Sequence, residues 1–204
     1  MLEAKVPDDA ARSANTVTAS NSEDNISIVE ATLEDAEAIS RLGSETFSTT
    51  FGFSVSAEDL ASFLGTTYSV DATLEILRDP KIKTFTARIP SDAQGAAADK
   101  LVGFVQLVRG STQPCIPGSA AKHAELRRLY VDAHAHGQGI GTKLTAALEK
   151  EARAEGFEKI WLTVWEKHPR AQKLYQRLGY KRVGETGFRT GNEVQTDWVL
   201  MKTL

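Results

Sequence analysis

Apolar and polar positions follow two periods along this chain: two, which marks strands, and 3.6, which marks helices. Ile26 to Glu30 alternates and predicts a first strand. Thr32, with Asp35 three residues on, reads as a helix start, and Ala36, Ile39 and Leu42 continue at helical spacing. Ser56 precedes a second helical stretch over 57–64, and a third covers 71–77 before Asp79-Pro80 stops it. Lys83 to Ile89 and Leu101 to Val108 predict a hairpin, with the Gly/Ala/Asp stretch 90–100 as its tip. A polar loop (110–121) with two prolines leads into Glu125 to Val131, where Leu and Val alternate as in a strand against a core. Thr142 to Ala154 is helical by the spacing of Leu144, Ala147, Leu148 and Ala152. A strand over 157–165, a helix opening on Pro169 and closing at Gly179, and strands near 181–183 and 195–201 complete the order. The expectation is one α/β domain over 25–204 with a mostly antiparallel mixed sheet. Residues 1–24 are rich in Ala, Ser, Asn and Asp with little to bury, which predicts a disordered tail.

The stretch between Val131 and Thr142 carries the chemistry. His136-Gly137-Gln138-Gly139-Ile140-Gly141 puts three glycines at alternate positions between a strand and a helix. Glycines there permit backbone conformations that other residues resist, and they let a ligand approach closely. The first N–H groups of the helix have no intrahelical partners and favour an anion, phosphate above all. The spacing fits neither the dinucleotide fingerprint, whose sixth position here is Thr142, nor the Gly-Lys-Ser/Thr phosphate loop.

Composition narrows the partners. A net charge of −3 makes no case for nucleic acid or an anionic membrane. No apolar run approaches the ~20 residues needed to cross a bilayer. The amino terminus carries Glu3, Asp8 and Asp9 and no apolar signal core, so a cytoplasmic location is expected. Cys115, the one cysteine, sits between Pro114 and Pro117 and reads as a structural or incidental loop residue. His134 and His136 are read as polar loop residues rather than a metal pair, and no metal is expected.

The pattern His136-x-x-Gly139-x-Gly141 after an extended strand resembles the pyrophosphate loop of the GCN5-related N-acetyltransferases, the GNAT superfamily. The resemblance implies an acetyl-CoA-dependent N-acetyltransferase in which two central strands, here those ending at Val131 and Trp165, splay apart to hold the pantetheine. It implies cofactor contacts from Leu129, Tyr130 and Val131, from His136, Gly137, Gln138, Gly139, Ile140, Gly141 and Thr142, and from His168 and Tyr175. His136 stands where the family has Gln or Arg, and His168 where it has Asn. From Glu125 onward the chain is similar to the PaiA type of spermidine/spermine N-acetyltransferase, through Ile160 to Lys167 and Gly191 to Asp197. A small amine, a polyamine first, is the acceptor this implies. An amine-bearing toxin and a peptide amino group are the alternatives, with a non-catalytic acyl-CoA-binding module as a third. A homodimer is left open.

Acetyl transfer to an amine needs somewhere for the amine's proton to go, stabilisation of the carbonyl oxygen, and a donor for the leaving thiolate. The resemblance points to Tyr175 as general acid and to Glu125 as base. Strand alternation puts the adjacent Arg127 and Arg128 on opposite faces, with at least one of them a surface charge. Glu193 and Asp197, with Glu58, Asp59 and Glu166, are the carboxylates that would suit a polycation.

Overall fold

The computed structural model describes residues 25–91, 99–190 and 193–204. The first expected tail (1–24) and most of the hairpin tip lie outside them. The strands in chain order are β1 (Ser27–Glu30), β2 (Ile82–Ile89), β3 (Lys100–Arg109), β4 (His123–Val131), β5 (Lys159–Trp165), β6 (Lys181–Thr190) and β7 (Glu193–Thr203). The helices are α1 (Ala36–Phe51), α2 (Ala57–Thr67), α3 (Val70–Arg78), α4 (Ile140–Ala154) and α5 (Pro169–Arg177). The strands form one sheet in the order β1-β2-β3-β4-β5-β7-β6. Every neighbouring pair is antiparallel except β4 and β5. A parallel pair needs a crossover, and α4 is that crossover.

The helices cover both faces. The alternation of β4 and β5 sends Ala124, Leu126, Ile160, Leu162 and Val164 into one core, where Leu144 and Leu148 of α4 are fully buried. Burying a leucine of this kind contributes roughly 1.5–3 kcal/mol. On the opposite face Ile39 and Leu42 of α1 pack on Leu101 and Phe104 of β3. Ser56 and Ser69 cap α2 and α3 by accepting from the backbone N–H groups of Asp59 and Ala72. Gly103 of β3 is required by the approach of α4: a Cβ there would stand 3.1 Å from the side chains of Ile140 and Leu144.

Two segments are better built than their sequences suggest. β6 spans ten residues, where the periodicity predicts a strand only near 181–183. Its glycines and polar residues hide it, because it is an edge strand paired only with β7 and irregular in register between Arg182 and Gly184. The loop between β3 and β4 is anchored. Ile116 is buried against Trp161 and Val199, the Trp161 indole donates to the Ser111 carbonyl at 2.8 Å, and Cys115 packs on Gly184, where a Cβ would come within 2.7 Å of its Sγ. Cys115 is therefore a packing residue.

Candidate active site

β4 and β5 pair only over His123–Glu125 with Lys159–Trp161. Beyond these residues they diverge, and a cleft of about 1050 Å³ opens between them. The facing backbone edges have no ladder partner across the gap, so their N–H and C=O groups are left for a ligand or water. β4 is also bulged. Phe104 of β3 faces Tyr130 and Gln106 faces Arg127, so three steps on β4 match two on β3. The extra residue falls at Arg128, whose φ is 52°. A bulge bends its strand and re-aims its side chains.

The glycine turn closes one end of the cleft. Gly137 (φ 87°) and Gly139 (φ 75°) take left-handed conformations, and a Cβ on either would meet nothing within 4 Å. The space around them is open. Gly139 caps α4 with no side-chain hydrogen bond, so the first N–H groups of α4 face the cleft unsatisfied by capping. His136 Nε2 sits 3.1 Å from the Val131 carbonyl oxygen and ties the turn to the end of β4.

The sheet has a different chemistry on each face of the cleft. From the α5 side comes Tyr175, 7% exposed and edge-on to the Tyr180 ring at 5.7 Å. Burial pushes its phenol well above the ordinary range, so it keeps its proton. From the α1 side come Glu125, Arg127 and Asp197. Arg127 grips the Glu125 carboxylate with two hydrogen bonds, Nε to Oε1 at 3.0 Å and Nη2 to Oε2 at 2.7 Å. Asp197 is buried, which raises its carboxyl above the usual value against the smaller opposing effects of hydrogen bonds from Gln195 and Thr163. Aromatic rings wall this side: Phe47, Phe51 and Phe63 from α1 and α2, Trp165 from β5 and Phe188 from β6. His168, at the start of α5, is held below its usual pKa by burial and, less, by Arg170.

The model of the Acetyltransferase (GNAT) family matches residues 56–180, which contain β4, the glycine turn, β5 and α5. The chain belongs to this family. Over 84% of its length the enzyme is 28% identical to an uncharacterised N-acetyltransferase of Mycobacterium tuberculosis, of which it covers 99%. Among solved structures it superposes on the PaiA N-acetyltransferase of Thermoplasma acidophilum in complex with coenzyme A, with a TM-score of 0.65, 22% identity, and coverage of 88% of this chain and 99% of that one. A probable spermine N(1)-acetyltransferase of Bacillus subtilis subsp. natto is 36% identical over 31% of this chain and 42% of its own. The protein is thus an acetyl-CoA-dependent N-acetyltransferase with the GNAT fold. Among the described residues no cluster of three His, Cys, Asp or Glu could hold a metal ion, and no helix is long and apolar enough to cross a membrane.

Of the residues singled out in the sequence, the enzyme gathers Glu125, Leu129, Tyr130, Val131, His136, Gly137, Gly139, Ile140, Gly141, Thr142, His168 and Tyr175 on the cleft wall. Gln138 is exposed beside the cleft and does not line it. Of the carboxylates that would suit a polycation, Asp197 lines the cleft, whereas Glu58, Asp59 and Glu166 do not, and the Glu193 side chain lies outside the described set. Arg127 and Arg128 both line the cleft, against the alternation that would separate them, because the bulge interrupts it. Phe47, Phe51, Phe63 and Phe188 of the aromatic wall were missed as well. Phe47, Phe51 and Phe63 come from helices whose spacing signals burial in general, and nothing in that spacing distinguishes a core from a cleft.

Proposed function

We propose that the enzyme acetylates a primary amine of a small molecule that enters on the α1 side of the sheet, while acetyl-CoA lies between β4 and β5 with its pyrophosphate at the glycine turn. The parting of β4 and β5 beside that turn carries this reading. The open N–H groups at the start of α4 suit two negative charges, and the open space around Gly137 and Gly139 leaves room for them. In the proposed reaction the amine nitrogen bonds to the acetyl carbon as the carbon–sulfur bond breaks. The backbone N–H of Leu129 polarises the carbonyl, and Tyr175 gives its proton to the leaving sulfur. A phenol is a weaker acid than a thiol, but the burial that raises Tyr175 raises a thiolate beside it too.

Glu125 is the proposed acceptor of the amine's proton, directly or through water. Arg127 orients it through the two hydrogen bonds it donates. Burial raises the Asp197 carboxyl above its usual value. It is the second carboxylate in reach of this side of the cleft. The cytoplasm, with its acetyl-CoA and reducing poise, is the proposed setting for a chain with one free thiol.

A polyamine is the second reading for the acceptor. The likeness to the probable spermine N(1)-acetyltransferase of Bacillus subtilis subsp. natto, over 31% of this chain, supports it. The charges in the cleft do not favour it, since among the described residues Asp197 is the one lining carboxylate free of an ion pair. Release of free CoA by the purified enzyme, measured across a panel of primary amines, tests the function. Release with none of them, from protein that binds acetyl-CoA, would refute it.

A further inference from the structure

Among the described residues Arg128 is the one non-glycine with a positive φ. Such backbone conformations are adopted rarely by L side chains and persist where the surroundings hold them, often at ligand sites. Here the conformation re-aims a charge. With regular alternation Arg128 would share the face of Ala124 and Leu126, against α4. Instead its guanidinium carbon stands 5.0 Å from the centre of the Tyr68 ring, on the α1 side. Tyr68 is itself a built support, 5% exposed. Its ring lies where a Cβ on Gly43 would come within 2.6 Å, its hydroxyl is 2.7 Å from that of Tyr130, and Ser40 donates to its carbonyl.

The charges on that side do not cancel. Arg127 and Glu125 neutralise each other. Asp197 is buried with no cation of the described residues paired to it, and burial favours its neutral form. Arg128 lines the cleft, and no carboxylate of the described residues pairs with it. What remains is a guanidinium with an aromatic ring under it, on the wall of the cleft in which the acetyl-transfer reading places the amine. A guanidinium fork matches a carboxylate in shape as well as charge.

We infer that the acceptor carries a carboxylate beside its amine, and that Arg128 binds this carboxylate and so sets the specificity of the enzyme. This rests on the acetyl-transfer reading above. The class is a small amino acid, with the aromatic wall of Phe47, Phe51 and Phe63 taking its apolar part. The acceptor's carboxylate does not react. The amine gains the acetyl group and loses one proton to a carboxylate or water, and the sulfur leaves and is protonated.

The test is CoA release from the full chain with three sets of probes. These are amino acids including phenylalanine, leucine and β-alanine; their carboxamides, which keep the shape and lose the negative charge; and spermidine and putrescine. Rates are read at one mildly alkaline pH and compared per concentration of deprotonated amine, because a carboxamide's amine is less basic than that of its acid. The best amino acid should exceed its carboxamide in kcat/KM by at least tenfold. Arg128→Gln should bring that ratio close to one, mainly through the KM of the acid, and Arg128→Lys should keep part of it. Both variants carry a Cβ, so the backbone cost at this position is the same as for arginine. Equal rates for acid and carboxamide, polyamines as the best substrates, or an unchanged ratio in Arg128→Gln would each overturn the inference while leaving amine acetylation standing. If no amine of the three sets supports CoA release by protein that binds acetyl-CoA, both readings fall.

Discussion

Replacing Gly139 by aspartate isolates the electrostatics of the glycine turn. Its φ of 75° is left-handed, and a Cβ there meets nothing within 4 Å. The steric cost of a side chain is therefore small, and what remains is the conformational cost, roughly 1–2 kcal/mol for an L residue. For a domain of this size each kcal/mol lowers the melting temperature by about 2–4 °C. Asparagine has the same shape and also tolerates this conformation, so Gly139→Asn is the control. The difference between the two variants is one negative charge beside the proposed pyrophosphate site. At roughly 6 Å, two unit charges repel by about 0.7 kcal/mol in water and about 2.8 kcal/mol at an effective dielectric constant of 20. The pyrophosphate carries more than one charge, so the expected loss of acetyl-CoA affinity, aspartate against asparagine, is at least tenfold, or about 1.4 kcal/mol. Titration calorimetry on both variants measures it, and raising the salt concentration should narrow the gap. If the two variants bind acetyl-CoA equally well while folded, the phosphates do not lie at this turn.

Tyr175→Phe removes a hydroxyl that forms no hydrogen bond among the described residues, so the melting temperature should hardly move. Loss of a general acid should lower kcat by about 10²–10⁴-fold, and a fall of less than threefold would leave Tyr175 a packing residue. Glu125→Gln keeps the shape but not the charge. It should slow turnover about tenfold or more and shift the activity profile to higher pH, where more free amine exists. Superimposable profiles would acquit Glu125 and turn attention to Asp197→Asn. Both His123 and His168 are held below the usual histidine value, by burial first. As pH falls the unfolded chain takes those protons before the folded one. Their contribution to stability is therefore full above about pH 6.5 and is lost as pH falls through the lowered folded values. The urea midpoint of the ligand-free enzyme should drop between pH 7.5 and 5.5, and less so in His168→Gln; a flat or rising midpoint contradicts the assignment.

Much of the site is legible in the sequence because its parts are local. The glycine turn, the strand before it and the helix after it lie within one stretch, and each shows its own period. Proline at the start of α5 and Gly179 at its end bracket Tyr175. What escapes is what depends on pairing. The bulge in β4 is set by its register with β3, and an arginine carries no local mark of a left-handed backbone. The two arginines therefore read as opposed when they share a cleft. β6 escapes for a related reason: it has one partner and little core to face, so its residues need not alternate. The aromatic wall combines rings from four separate elements, which no single window of sequence shows.

Gly103 has no functional group, yet it fixes how near α4 lies to the sheet. Any side chain there would press on Ile140 and Leu144, and on the Tyr130 carbonyl at 3.1 Å. Ile140 opens α4 and follows directly on Gly139, so the pressure would reach the glycine turn itself. A survey of substitutions scored by activity alone would rank this position with the reacting groups. One scored by cofactor affinity and fold together would separate them, because Gly103 acts as a spacer, setting the height of the turn above the cleft floor without meeting the substrate.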